Sequence, residues 1–129
     1  MTQFRTIYCC GCQCDVDARL TSGSEIYPHR SDLMTRRFWV CTRCHNYVGC
    51  HKNRKDNTPL GVIPTPELRR ARNHIHAIID PLWMDGHIDR SRLYSLIAID
   101  LGITEYHTAE IRTIEEARRV WKTVKNLVY

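Results

Sequence analysis

Two cysteine pairs of the same form, Cys9-x-x-Cys12 and Cys41-x-x-Cys44, constrain the fold of this chain more than any other feature. Each pair is spaced so that a tight turn can point two thiolates at one place, and Zn²⁺ prefers four such ligands in a tetrahedron. Twenty-eight residues separate the pairs, more than the ~15–20 residues of the commonest arrangement. The insert therefore has room for strands and a sizeable loop. The sequence predicts one structural zinc ion bound by Cys9, Cys12, Cys41 and Cys44.

The compartment that the sequence predicts indicates whether the cysteines bind metal or form disulfides. The chain has 129 residues and seven cysteines. It shows neither a secretory leader nor an apolar run of the ~20 residues that a membrane span needs. We therefore expect a protein of the bacterial host cytoplasm with no membrane partner, whose cysteines bind metal rather than form disulfides. Cys10 and Cys14 read as spare thiols, whereas Cys50 and His51 are either a buried residue and its neighbour or ligands of a second site.

Periodicity divides the chain into a sheet and a set of helices, which is an α+β fold. From Cys14 to Leu20 apolar and polar residues alternate, as in a half-buried strand. The aromatic run that ends at Cys41, with short segments at 4–8 and 47–49, completes a small antiparallel sheet. We expect a zinc ribbon at residues 1–51, a solvated linker at 52–64 and a three-helix lobe at 65–129.

Capping signals mark the three helices. The first begins with Thr65 as N-cap and should end near Asp80, because Pro81 disfavours helical geometry in the residue before it. The second is expected between Asp89 and Gly102, and the third begins at the capping box of Thr113 and Glu116. Its predicted buried stripe consists of Ala117, Val120, Trp121, Val124 and Val128.

Several runs resemble an uncharacterised zinc-finger-containing family found largely in phage and prophage genomes. They are Cys41-x-x-Cys44-His45-Asn46-Tyr47-Val48-Gly49-Cys50-His51, Asp80-Pro81-Leu82-Trp83 and Arg90-x-x-x-Tyr94. The similarity spans roughly residue 8 to the C-terminus. The first cysteine turn, or knuckle, departs from the family, which has glycine where this chain has Gln13. The segment from Tyr47 to Cys50 is also similar, more weakly, to the four-cysteine ribbons of bacterial type I topoisomerases, which bind DNA. The resemblance implies a zinc-binding domain and no particular activity.

Basic residues suggest a nucleic-acid partner. The formal net charge is +5, which permits such a partner without requiring it. We expect a sequence-nonspecific phosphate-binding surface made by the linker and the first helix, because arginine and lysine contacts to phosphate carry no sequence information. Its residues are Lys52, Arg54, Lys55, Arg69, Arg70 and Arg72. Phe38, Trp39 and Tyr47 could add stacking with unpaired bases.

Two other functions remain open at this point. The alternative to nucleic-acid binding is a protein-interaction module that binds a host protein and modulates or inhibits it, because zinc ribbons serve both purposes. Catalytic motifs such as HExxH, a P-loop or a nucleophile elbow do not occur in the sequence. We therefore expect a non-enzymatic protein. A metal-dependent nuclease that uses His45, His51 or His76 is a third interpretation.

Overall fold

The computed structural model describes residues 3–128. The chain divides into two compact units, with the boundary between Thr65 and Pro66. Each unit has its own set of buried apolar side chains. A sheet followed by helices confirms the predicted α+β fold class.

The first unit is built on a four-stranded antiparallel sheet in the order β1-β2-β3-β4. The strands are β1 Phe4–Cys9, β2 Cys14–Ser22, β3 Arg37–Cys41 and β4 Tyr47–Gly49. Strands that follow each other in the chain are neighbours in the sheet, so that Cys9 pairs with Cys14 and Ala18 pairs with Cys41. This register places the ends of β1 and β3, which carry cysteines, near each other.

Alternation along β2 separates a buried face from an exposed one. Val16 and Ala18 are buried, whereas Asp15 and Asp17, which alternate with them, are exposed. One face of the sheet therefore forms the core of the unit, as period two requires. The core cluster contains Ile7, Cys9, Val16, Ala18, Trp39, Cys41, Val48 and Ile63.

The connection between β2 and β3 contains a short helix, α1 Gly23–Ile26, and a 3₁₀ turn at Ser31–Leu33. Gly23 is required where these two pieces meet. A Cβ atom at Gly23 would lie 1.7 Å from the carbonyl oxygen of Leu33, which is backbone and cannot move aside. The sequence predicted a sizeable loop in this insert but not the short helix.

Residues 52–64 differ from the solvated linker that the sequence predicted, because their second half packs on the sheet. The amide of Ile63 donates to the carbonyl of Tyr8 at 2.9 Å, and the amide of Cys10 donates to the carbonyl of Ile63 at 2.8 Å. Val62 and Ile63 are buried, and Trp39 donates its indole N–H to the carbonyl of Asn57 at 2.7 Å. The apolar Val62-Ile63 pair closes the core, so the segment belongs to the first unit.

The second unit contains three long helices, α2 Pro66–Met84, α3 Arg90–Leu101 and α4 Ile114–Val128, with a 3₁₀ turn at Thr108–Glu110. The three-helix prediction is confirmed. Gly102 ends α3 with φ of 72°, the left-handed conformation in which glycine is favoured. At the start of α4, the amide of Glu116 donates to the Thr113 hydroxyl at 3.1 Å, and the Glu116 carboxylate accepts from the amide of Arg112 at 2.9 Å.

Two predictions for the helices were wrong. Helix α2 does not end near Asp80 but continues through Pro81 to Met84. Proline removes the hydrogen bond to the carbonyl four residues earlier and crowds that carbonyl. Both Pro81 and Ala77 are exposed, so this disturbance lies on the side of α2 away from the core. Trp121 is not buried in the stripe of α4 but is 38% exposed. The side chain of Val128, predicted in the same stripe, lies outside the described residues.

Among the described residues, no helix combines the length and the apolar character needed to cross a membrane.

Candidate metal centre

Each cysteine pair lies in a tight turn that follows a strand. In the first turn the amide of Gln13 donates to the carbonyl of Cys9 at 2.8 Å, and in the second the amide of His45 donates to the carbonyl of Cys41 at 3.0 Å. Gln13 and His45 both have positive φ, 57° and 66°. The two turns therefore have the same backbone form, with a left-handed residue directly after the second cysteine.

The four predicted ligands converge on one point. The sulfur atoms of Cys9, Cys12, Cys41 and Cys44 all lie within 4.8 Å of one another. The Cys9 and Cys44 sulfurs are 3.4 Å apart, and those of Cys12 and Cys41 are 3.8 Å apart. Sulfur atoms at the corners of a tetrahedron around zinc, each with a bond of about 2.3 Å, are separated by about 3.8 Å. The residues fit one zinc ion in number, chemistry and spacing.

The centre is half enclosed by protein. Cys9 and Cys41 are fully buried at the ends of their strands, Cys12 is half-buried and Cys44 is exposed. The amide of Arg43 donates to the Cys41 sulfur at 3.4 Å, a contact that favours thiolate over thiol. Four thiolate ligands complete the tetrahedron and leave no position for water, which is typical of structural rather than catalytic zinc.

Without a metal, four thiolates at this site would be unfavourable. Burial raises the pKa of Cys9 well above its usual range, and burial together with hydrogen bonds to Cys41 and Cys44 raises the pKa of Cys12 to about 11. Burial opposes ionisation of Cys41 as well, but amide hydrogen bonds from Cys44 and Arg43 outweigh it and lower the Cys41 pKa to about 7. A divalent cation would supply the charge that stabilises the remaining thiolates, so zinc binding would release protons.

The other thiols stay outside this cluster. In the part of the chain that the structure describes, the four-cysteine group is the only set of three or more metal-ligating side chains. Cys10 is buried, and Cys14 accepts a long hydrogen bond of 3.9 Å from the Arg43 guanidinium. Burial raises the pKa of Cys50. His51 is exposed and does not join the group.

Two short cysteine turns at one end of a small antiparallel sheet, with four convergent sulfur atoms, define a four-cysteine zinc ribbon. The chain belongs to the family described as a zinc-finger-containing domain, whose model matches residues 5–127. The match includes the helices as well as the ribbon, so both units are part of the family's domain, and the predicted family is confirmed. No curated protein matches the chain. No solved structure matches it either.

The residues of the predicted phosphate-binding surface belong to both units and differ in exposure. Lys52, Arg54 and Lys55 are exposed and line one depression of the first unit. Arg70 is exposed on α2 and Arg69 is half-buried there. Arg72 is buried, because its guanidinium donates to the carbonyl of Ile111 inside the second unit. Arg72 is therefore not part of an exposed basic surface.

Sequence reasoning left two basic residues out of that surface. Arg36 and Arg37 line the same depression as the three basic residues of segment 52–55. The amide of Cys50 donates to the carbonyl of Arg37 at 3.2 Å, which brings the chain after β4 beside the start of β3. The pairing of β3 with β4 brings Arg36 and Arg37 close to segment 52–55. The only sign of this in the sequence was the Arg36-Arg37 pair itself.

The aromatic residues predicted to stack with bases differ in burial. Trp39 is fully buried in the core of the first unit. Phe38 and Tyr47 are half-buried and contact each other and Tyr27 edge to face, with ring centroids 5.5–5.8 Å apart. These contacts hold the β2–β3 connection against the sheet. Trp39 is unavailable for stacking because it is buried.

Proposed function

We propose that this zinc-ribbon protein is a small phage-type accessory protein that binds nucleic acid and catalyses no reaction. The observation that carries the proposal is the basic depression of the first unit. The zinc ion would hold the ribbon together, since the binding free energy of a structural zinc site is folding free energy. The depression would bind the ligand.

The depression encloses about 320 Å³ and has a basic lining. Its lining residues are Thr35, Arg36, Arg37, Cys50, His51, Lys52, Arg54, Lys55 and Asn57. No acidic side chain is among them. The nearest acid along the chain is Asp56, whose carboxylate accepts hydrogen bonds from the amide and hydroxyl of Thr58 at 3.1 and 2.6 Å. Asp56 thus has its own partners within the loop.

Such a lining suits the phosphate backbone of a nucleic acid. Lysine and arginine neutralise phosphates and release condensed counterions, which gives affinity that falls steeply with salt and depends little on sequence. The proposal rests on the first unit alone, and the buried Arg72 of α2 is not part of it. We expect sequence-nonspecific binding, with DNA and RNA both as candidate ligands.

Fluorescence anisotropy with labelled single- and double-stranded DNA, at several salt concentrations, tests the proposal. The zinc-loaded protein should bind with micromolar or tighter affinity at low salt. Lys52→Glu and Arg54→Glu should each weaken binding to every oligonucleotide and reduce the slope of log K against log salt by roughly one. Arg92→Glu is the matched control, because Arg92 is exposed on α3 and outside the depression.

Two results would contradict this proposal. One is no detectable binding at low salt by protein that carries its zinc. The other is an equal loss of affinity in all three variants, which would mean that net charge rather than the depression controls binding.

A second candidate is the protein-interaction module, in which the chain binds a host protein and modulates or inhibits it. An observation in the second unit favours it, namely an exposed tryptophan beside an apolar groove. A pull-down that captures one host protein, from protein that binds no naked nucleic acid, would favour this candidate over the first.

A further inference from the structure

A groove of about 410 Å³ lies between α2 and α4 in the second unit. Its apolar residues are Ala71, Ile75, Ile114, Ala117 and Trp121, and its charged or polar residues are Glu67, Arg70, His74 and Arg118. Along α2 the lining extends from Glu67 to Ile75, roughly 12 Å at 1.5 Å per residue. That length accommodates about two turns of a helix lying in the groove.

Trp121 is the unusual member of this lining. Its neighbours Val120 and Val124 on α4 are buried, but Trp121 is 38% exposed. The Lys125 ammonium lies 4.5 Å from the centroid of the Trp121 ring, a cation–π distance that restricts the ring's movement. Tryptophan held at a surface with apolar neighbours is the side chain that most often dominates a protein–protein interface.

The charges around the groove are mostly positive. Arg118, Lys122 and Lys125 are on α4 on the side of Trp121, and Arg70 faces them from α2. Within the described residues, no carboxylate lies within ion-pair distance of Arg70, Arg118 or Lys122. These cations are therefore available to an external anion.

We propose that the α2–α4 groove binds an acidic amphipathic helix of a partner protein. Apolar side chains of that helix would contact the exposed Trp121 and the half-buried Ile114, and its carboxylates would pair with Arg70, Arg118 and Lys122. Helices bind to grooves in this way, with anchors every three or four residues. The inference concerns the second unit and does not depend on nucleic-acid binding by the first.

The floor of the groove distinguishes a peptide from a nucleic acid. A phosphate backbone would satisfy the cations but leave the partly exposed Trp121, Ala71 and Ile114 without apolar partners. A peptide with leucines on one face and glutamates on the other complements both parts of the surface.

Isothermal titration of the full-length, zinc-loaded chain with three synthetic peptides tests the inference. Each peptide has about 15 residues, enough for a marginal helix. The first carries leucines on one face and glutamates elsewhere, the second replaces the glutamates with lysines, and the third replaces the leucines with glutamines. Only the first should bind, with a micromolar Kd.

Variants of α4 locate the binding surface. Trp121→Ala should weaken binding of the acidic peptide roughly tenfold or more, and Trp121→Phe should retain part of the affinity. Arg118→Glu should weaken it by a similar factor. Arg119→Glu has the same charge change on the same helix but lies outside the groove lining, so it should leave the affinity unchanged. The melting temperature of each variant checks that the fold is retained.

Five outcomes would overturn the inference. The first two are that the acidic amphipathic peptide fails to bind, or that all three peptides bind equally. The third is an affinity that is the same for Trp121→Ala and wild type. The fourth is quenching of Trp121 fluorescence by DNA but not by the peptide, which would make the groove a nucleic-acid site. The fifth is a dimer in light scattering that Trp121→Ala dissociates, which would make a second copy of the chain the occupant.

Discussion

At the scale of single residues, the two left-handed positions of the ribbon are the most informative. Gln13 and His45 adopt φ of 57° and 66°, which costs a non-glycine residue roughly 1–2 kcal/mol. Glycine adopts left-handed φ without this cost, whereas both turns of this chain place a residue with a Cβ atom there.

Replacing these residues by glycine should stabilise the zinc-loaded protein. We expect Gln13→Gly and His45→Gly each to raise the free energy of unfolding of the first unit by about 0.5–1 kcal/mol, since relief of left-handed strain exceeds the entropy that glycine loses. Urea denaturation at fixed zinc concentration measures the change. Arg43→Gly, in the same knuckle without positive φ, should be destabilising. A loss of stability in both Gln13→Gly and His45→Gly would contradict the argument.

A buried tyrosine makes the stability of the second unit decrease at alkaline pH. Tyr106 is 3% exposed and hydrogen-bonds the Thr108 hydroxyl at 2.7 Å. Burial, the largest cause, raises the pKa of Tyr106 well above the ordinary value near 10. The folded state therefore keeps a proton that the unfolded state loses first. The stability is fully present below about pH 10 and decreases as pH rises above it.

We expect the unfolding free energy of wild type to decrease by up to about 1.4 kcal/mol per pH unit above pH 10 relative to Tyr106→Phe. At neutral pH, Tyr106→Phe should cost about 1 kcal/mol for the lost hydrogen bond. Denaturant titrations at several pH values provide both numbers. Thr108→Val removes the same hydrogen bond but keeps the phenol, so it should retain the alkaline decrease. Equal pH dependence of wild type and Tyr106→Phe would refute the assignment.

At the scale of elements, local signals predicted what depends on neighbours in the chain. The cysteine spacing identified all four ligands, alternation identified β2, and Thr113 with Glu116 marked the start of α4. Pro81 misled because it lies in the last turn of α2, where both it and Ala77, four residues earlier, are on the exposed side of the helix. The sequence contains the proline but not the exposure of that side.

Elements whose position depends on the tertiary structure were predicted less well. Lys52, Arg54 and Lys55 do resemble a solvated linker, but the Val62-Ile63 pair at the other end of the segment packs on the sheet. Arg72 occurs in a basic run, yet the carbonyl of Ile111, thirty-nine residues away, accepts its hydrogen bond. Trp121 fits the apolar period of α4, but whether another helix covers its position cannot be read from the period.

At the scale of the whole molecule, the two units depend on zinc to different degrees. The first unit has a core of few residues, which includes two of the cysteine ligands themselves. A unit of about this size seldom buries enough apolar surface to be stable without a metal or disulfides. The second unit contains helices of 19, 12 and 15 residues, and its described residues include no convergent set of three or more metal-ligating side chains. We therefore expect zinc to stabilise the ribbon and not the helices.

Removal of zinc should unfold the first unit and leave the helices folded. With a chelator, we expect the fully buried Trp39 to become exposed and its fluorescence emission to move to longer wavelength, while the helical circular dichroism of α2, α3 and α4 persists.

Cys44→Ser should have the same effect and lose the bound zinc, because the exposed Cys44 is as necessary for the tetrahedron as the buried ligands. Cys14→Ser, which lies outside the cluster, should still bind one zinc per chain. Loss of helical dichroism together with the zinc would show instead that the helices need the ribbon to fold, and two zinc ions per wild-type chain would show a second site that the four cysteines do not explain.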